Sequence, residues 1–213
     1  MAAYDLEEQE QLAALKAWWQ ENGGLVVTAL TLVLAVLAGW QGWNYYQRNQ
    51  AVQASNLYSA VQKAAGEGNL KLVRENAGAI LDGYPRTSYA AMAALVSAKA
   101  HFQAGDLKTA RAQLAWVTEN AKDEGLQDLA RLRLASVMLD EKAYDDALKT
   151  LAAKHSAGFD ALFLASEADI LVAQGKKEAA RGAYKAALEK ADAKDAALRG
   201  SIQLRLDALG TAK

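Results

Sequence analysis

The sequence predicts an all-α chain, with a single N-terminal transmembrane helix followed by a solenoid of helical repeats. Three observations carry this. Ala, Leu, Lys, Glu and Gln dominate, and one Pro in 213 residues leaves the helical period almost uninterrupted after Arg48. Between Glu21 and Arg48 lie 26 residues without a formal charge. Further on, a ten-residue pattern recurs four times. The regular strand and turn signals of an all-β fold are missing. The expected organisation is a short tail over 1–22, a transmembrane helix over 23–46, and a helical repeat domain over 50–213.

The tail is acidic. Residues 1–50 hold Asp5, Glu7, Glu8, Glu10 and Glu21 against Lys16 and Arg48. Leu12, Leu15, Trp18 and Trp19 follow helical spacing, as in a short helix that leads into a membrane or meets a partner helix.

The span centres on LVVTALTLVLAVL, residues 25–37. From Gly24 to Tyr45 a helix would be about 33 Å long, enough for a bilayer core. Its nine Leu and Val between 25 and 37 contribute roughly −3 to −5 kcal/mol to insertion. Trp18 and Trp19 stand on one flank; Trp40, Trp43, Tyr45 and Tyr46 stand on the other. Amphipathic rings are half solvated at the two interfaces, so these six are expected to be membrane-interface anchors in the lipid bilayer. A cleavable signal peptide is the competing reading. Val36 and Ala38 loosely fit its small-residue rule, but the 22 residues before the span are long and acidic where a short basic segment is expected. Orientation is open on charge alone, because Lys16 and the N-terminal amine balance Arg48 and Lys63.

The four copies read GNLKLVRENA (68–77), GDLKTARAQL (105–114), KAYDDALKTL (142–151) and GKKEAARGAY (175–184). Their small positions are Val73, Ala110, Ala147 and Ala180, and each copy follows an apolar helix ending near Ala64, Phe102, Leu139 or Val172. A helix pair cannot bury its apolar stripe alone. Small residues at crossings let neighbouring pairs stack into one continuous core. Gly at the turn supplies the left-handed conformation of a helix C-cap. A last helix, about Lys194 to Leu209, carries Leu198, Ile202, Leu206 and Leu209 on one stripe and is expected to cap the array.

These residues resemble the tetratricopeptide repeat. Gly105-Asp106-Leu107 with Ala110 and Leu114 fits that pattern, as does Gly175 with Ala180, Tyr184 and Ala187. Gly68-Asn69-Leu70 fits too, with Pro85 where a terminating Pro belongs. Lys142 replaces Gly in the third copy, although Tyr144, Ala147 and Leu151 match, so the repeats are degenerate. Mapping the pattern onto the chain places Tyr58, Gln62, Met92, Lys99, Phe102, Gln103, Ser136, Asp140 and Asp169 towards a candidate partner-binding groove. The mixture is moderately polar with a few aromatic or soft anchors, which suits peptide or protein binding.

Catalytic chemistry is not expected. With no Cys and two His, His101 and His155, no thiolate nucleophile or metal-ligand spacing exists. His101 reads as a packing residue and His155 falls in a turn. Asp140-Glu141 and Asp145-Asp146 read as solvated carboxylates. No phosphate-binding loop, dinucleotide fingerprint or nucleophile elbow occurs, so neither an enzyme nor a cofactor is expected. The balance of 24 basic and 25 acidic residues argues against nucleic acid.

At the whole-chain level the order of parts resembles the YfgM family, ancillary subunits of the bacterial SecYEG translocon. The resemblance rests on Glu7-Glu8-Gln9, Leu15-Lys16, Trp18-Trp19, Glu21-Asn22-Gly23, Gly42-Trp43 and Tyr84-Pro85. It implies a single-pass protein of the bacterial inner membrane, with its N-terminus cytoplasmic and its repeat domain periplasmic. Implied partners are SecYEG, a PpiD-like membrane-anchored periplasmic chaperone of the prolyl isomerase type, and translocating client proteins. The implied role is to help newly translocated proteins reach periplasmic chaperones. A second implied role is restraint of a stress-response regulator by the cytoplasmic tail. A scaffold for another cell-envelope assembly is the alternative that fold alone leaves open.

Overall fold

A computed structural model describes residues 2–210, with side chains from Glu8 onward. Asp5 and Glu7, assigned to the acidic tail by the sequence, have side chains outside that range. The regular elements of the described residues are all helices, without a strand. The chain divides into two units, residues up to Asn49 and residues from Gln50.

The first unit is part of one unbroken helix, α1 (Ala2–Gly66). Neither Pro nor a helix-stop signal interrupts it, so tail, span and the first repeat helix share one helical run. Leu25, Val27, Leu30, Leu32, Val33, Leu34, Val36 and Leu37 are all exposed. In water this surface would be costly; in hydrocarbon it is the surface that drives insertion. Two polar side chains in the span are satisfied internally. The Thr28 hydroxyl donates to the Gly24 carbonyl at 2.7 Å, and that of Thr31 to Val27 at 2.8 Å. Such back-bonding removes the cost of an unpaired hydroxyl in lipid.

The second unit stacks helix pairs. The end of α1 pairs with α2 (Leu70–Gly83), α3 (Ser88–Gln103) with α4 (Leu107–Asn120), α5 (Glu124–Asp140) with α6 (Tyr144–Leu151), and α7 (Asp160–Ala173) with α8 (Lys177–Lys190). The last helix, α9 (Ala196–Ala208), follows α8.

All four turns within pairs close the same way. The residue three past each first helix bonds five residues back: Asn69 N–H to Ala64, Asp106 to His101, Ala143 to Met138, Lys176 to Leu171. The residue before it bonds three back, to Ala65, Phe102, Leu139 and Val172. This double closure needs a left-handed residue. Gly68, Gly105 and Gly175 supply it at φ 70, 79 and 78°. Lys142, the departure noted in the sequence, adopts φ 60° at the same place. Asn69 and Asp106 then cap α2 and α4 by accepting from the N–H of Leu72 and Thr109. Ala143 and Lys176 make no such side-chain cap.

The aligned small positions are all fully buried: Val73, Ala110, Ala147 and Ala180. So are their partners four residues on, Ala77, Leu114, Leu151 and Tyr184. At these crossings a single methyl lets two backbones approach, which explains why three of the four are Ala. Trp116 packs against both the α1–α3 core and the α3–α6 core, joining consecutive pairs.

A second regularity lies one residue after the small position. Arg74 reaches forward to Asp106 in the next turn at 3.1 Å. Arg111 reaches Glu141 at 2.8 Å and Asp146 at 3.4 Å, and Arg181 donates to the Gly210 carbonyl at 2.6 Å. The third copy has Leu148 there, packed against the core instead.

Candidate functional site

The first helices of the pairs line two adjoining clefts. The first, of about 330 Å³, lies between α3 and α5. Ala98, Lys99 and Phe102 form one wall, Arg133, Ser136 and Val137 the other, with Leu114 of α4 at the floor. A second, of about 250 Å³, shares Arg133 and Ser136 and continues along α7 and α9 past Leu162, Asp169, Leu198 and Arg205. Helical spacing explains the sharing. Arg133 and Ser136 are three residues apart, on one face of α5.

Four of the nine groove residues expected from the sequence come together here: Lys99, Phe102, Ser136 and Asp169. Phe102 is 39% exposed, unusually open for a large ring beside a core. Asp169 is already engaged. It accepts from the buried Tyr184 hydroxyl and from Arg205 at 2.7 Å. Burial, and then the bond to Asp169, pushes the Tyr184 hydroxyl well above the ordinary tyrosine range. The other five line neither cleft. Tyr58 accepts from Gln62 at 3.1 Å and packs its ring 5.7 Å from that of Tyr89. Met92 is half-buried, while Gln103 and Asp140 are exposed. Arg133, Leu162, Leu198 and Arg205 were missed by the sequence reading. The signal for Arg133 was available, one helical turn before Ser136.

A third, polar cleft of about 290 Å³ lies at the loop between α6 and α7. Its centre is Asp128, almost fully buried, which accepts from Arg131 at 2.7 Å and from the Ser156 N–H at 2.9 Å. Arg131 also holds the Lys154 carbonyl and Gln127. Burial alone would raise the Asp128 carboxyl, but the bonds from Ser156 and Arg131 outweigh it and hold the group below the usual range. Arg131 and Asp128 of α5 thus hold the Lys154 carbonyl and the Ser156 N–H of the loop, so the arrangement is a clasp.

Both histidines take packing roles. His101 is buried, with Nδ1 2.9 Å from Asp106. His155 stacks on Phe163 with ring centroids 3.9 Å apart, and Nε2 lies 3.3 Å from Asp160. Hydrogen bonds from Thr109, then from His101, hold the Asp106 carboxyl below the usual range. Among the described residues no group of three His, Asp or Glu is poised for a metal.

In the first unit, Trp18, Trp19, Trp40, Trp43, Tyr45 and Tyr46 are all exposed. The Trp19 ring lies over Gly23, where an added Cβ would come within 3.2 Å of it. Trp43 and Tyr46 pack with centroids 6.0 Å apart. The helix that carries them is the one described element long and apolar enough to cross a membrane, with a mean hydropathy of 2.1 over its most apolar stretch.

These features define a class: a helical-repeat protein with one exposed, membrane-length apolar helix, whose exposed chemistry is a surface of clefts. The tetratricopeptide repeat-like domain family matches residues 16–211. The chain is 35% identical to an ancillary SecYEG translocon subunit of Neisseria gonorrhoeae, over 98% of this chain and all of that protein. It is 31% identical to proteins of the same name from Haemophilus influenzae (87% of this chain, 90% of the relative) and Escherichia coli (85% and 87%). The chain belongs to this family of ancillary translocon subunits, the YfgM family.

Proposed function

We propose that the chain is a single-pass inner-membrane protein that associates with the SecYEG translocon and helps pass newly translocated proteins to periplasmic chaperones. The observation that carries this reading is end-to-end similarity to translocon subunits across both units, the exposed apolar helix and the repeats alike. Similarity confined to the repeats would speak only for a helical scaffold. In this reading residues 1–22 are cytoplasmic, 23–46 cross the membrane, and 50–213 act in the periplasm.

Tethering by one helix suits such a task. It holds the repeat unit at high local concentration beside the channel, so modest affinity in a cleft suffices. The α3–α5 and α7–α9 clefts are the surfaces for a chaperone of the PpiD type or for client chains.

The test is purification of the full-length protein from native membranes in mild detergent, with mass spectrometry of what accompanies it. SecY together with a membrane-anchored prolyl isomerase is the expected result. A different envelope complex without Sec subunits would overturn the assignment. Orientation is read in the same cells. The chain has no Cys, so a single reporter at Ser136→Cys is expected to react with a membrane-impermeant maleimide from the periplasmic side, and one at Gln9→Cys is not.

A further inference from the structure

The cleft between α3 and α5 is lined by two cations, Lys99 and Arg133. Six arginines lie in α4–α9, and five of them are spent: Arg111, Arg131, Arg181, Arg199 and Arg205 each hold a carboxylate or a backbone carbonyl. Arg133 holds neither among the described residues, and neither does Lys99 across the cleft. Among the described residues no acidic side chain lines this cleft. Between the two cations lie Phe102, Val137 and the floor at Leu114, with the Ser136 hydroxyl on the rim.

We propose that this cleft binds an acidic, apolar polypeptide segment. One large apolar side chain seats against Phe102 and Val137, and an Asp or Glu carboxylate beside it lies between Lys99 and Arg133. The identification rests on the function proposed above and adds the chemistry of the ligand. Two features favour this occupant. Unpaired cations beside an apolar floor complement a carboxylate next to a hydrophobic anchor, and Arg is suited to hold a carboxylate bidentately. The volume, about 330 Å³, falls at the low end of ordinary ligand clefts of roughly 300–1,000 Å³. A recess between two helices admits a side chain, whereas a bilayer surface is broad and flat.

The experiment uses the full-length chain in phosphatidylcholine nanodiscs and fluorescence anisotropy. The probe is a labelled decapeptide with Asp-Phe-Glu-Leu in a Gly/Ser frame, compared with its Lys-Phe-Lys-Leu counterpart. The acidic peptide is expected to bind at least tenfold tighter than the basic one. The paired substitution Lys99→Glu with Arg133→Glu is expected to invert that preference, and Phe102→Ala to weaken both peptides. Both charged residues are exposed, so inversion of preference, a gain of binding, separates a changed ligand from a failed fold. Equal binding of the two peptides, or a preference unchanged by the double substitution, would overturn the proposal. So would binding of phosphatidylglycerol vesicles in place of either peptide. Co-purification of SecY is scored in parallel. Its retention without peptide binding overturns the ligand and leaves the translocon reading, and the converse overturns the translocon reading alone.

Discussion

Replacing Lys142 with Gly should stabilise the repeat unit. Lys142 sits at φ 60°, in a turn whose two closing bonds match those at Gly68, Gly105 and Gly175. A left-handed L-residue costs roughly 1–2 kcal/mol. Glycine removes that strain but gives the unfolded chain more freedom, returning about 0.4–1 kcal/mol. The Lys142 side chain is exposed and makes no ion pair among the described residues, so nothing else is lost. The net gain is about 0.5–1 kcal/mol. For a unit of this size it should raise Tm by roughly 1–4 °C. The assay is thermal and urea unfolding of the full-length protein in nanodiscs. Asn tolerates this region better than Lys and Val tolerates it worse, so the order Gly, Asn, Lys, Val is expected for stability. Gly105→Ala is the mirror test. A Cβ there meets nothing within 4 Å, so its net cost, about 0.5–1 kcal/mol, would be backbone strain offset by the lower freedom of the unfolded chain, with no steric clash. A Lys142→Gly protein no more stable than the parent would refute the turn-strain argument.

Three further outcomes follow from other parts of the molecule. Asp128→Asn should cost about 2–4 kcal/mol, because Arg131 and the Ser156 N–H lose a buried anionic acceptor. The folded carboxyl is held low, so its contribution is fully present above the ordinary carboxyl value near about 4 and fades as pH falls through the lower folded value; acid titration of the wild type against the Asn variant checks this. Ala147→Leu should overpack a fully buried crossing and cost about 1–3 kcal/mol, read by chemical denaturation. In the span, Leu32→Arg should make insertion less favourable by about 3–4 kcal/mol, moving protein from the carbonate-resistant pellet to the soluble fraction.

The helix pairs were legible in the sequence because their turns depend on backbone conformation. Gly-Asn and Gly-Asp mark a left-handed residue followed by a cap, and the buried small residue comes at a constant distance after them. Lys142 shows the limit of such a signal. Its turn could be found only through Ala147 and Leu151, which keep register where the glycine is gone. Half of the groove was harder to read. Repeat register selects positions on a first helix, but whether a position lines a cleft depends on the neighbouring pair. Lys99, Phe102 and Ser136 meet because α3 packs beside α5, whereas Tyr58 and Gln62 bond to each other instead. The clasp around Asp128 was invisible for a different reason. It joins side chains to a loop 28 residues away, and no periodicity encodes that contact. The continuity of α1 was also unread, because interfacial aromatics mark where a membrane begins without breaking a helix.

The forward-reaching arginines give the array a property of interlocking bricks. Exposed pairs of this kind add little stability, about 0–1 kcal/mol each, but they make each unit's outgoing face complementary to the next unit's turn. Arg111 projects towards Glu141 and Asp146, while Asp106 within the same unit receives Arg74 from the one before. Residues 105–141 therefore carry both plug and socket. An in-frame second copy of that segment would present Asp106 of the new unit to Arg111 of the old one, and its own Arg111 to the acidic turn that already follows. The array should accept such an insertion and lengthen by one pair, extending the cleft-bearing face by the same step. The same duplication across the third unit should fare worse, because Leu148 leaves that unit with no plug to offer.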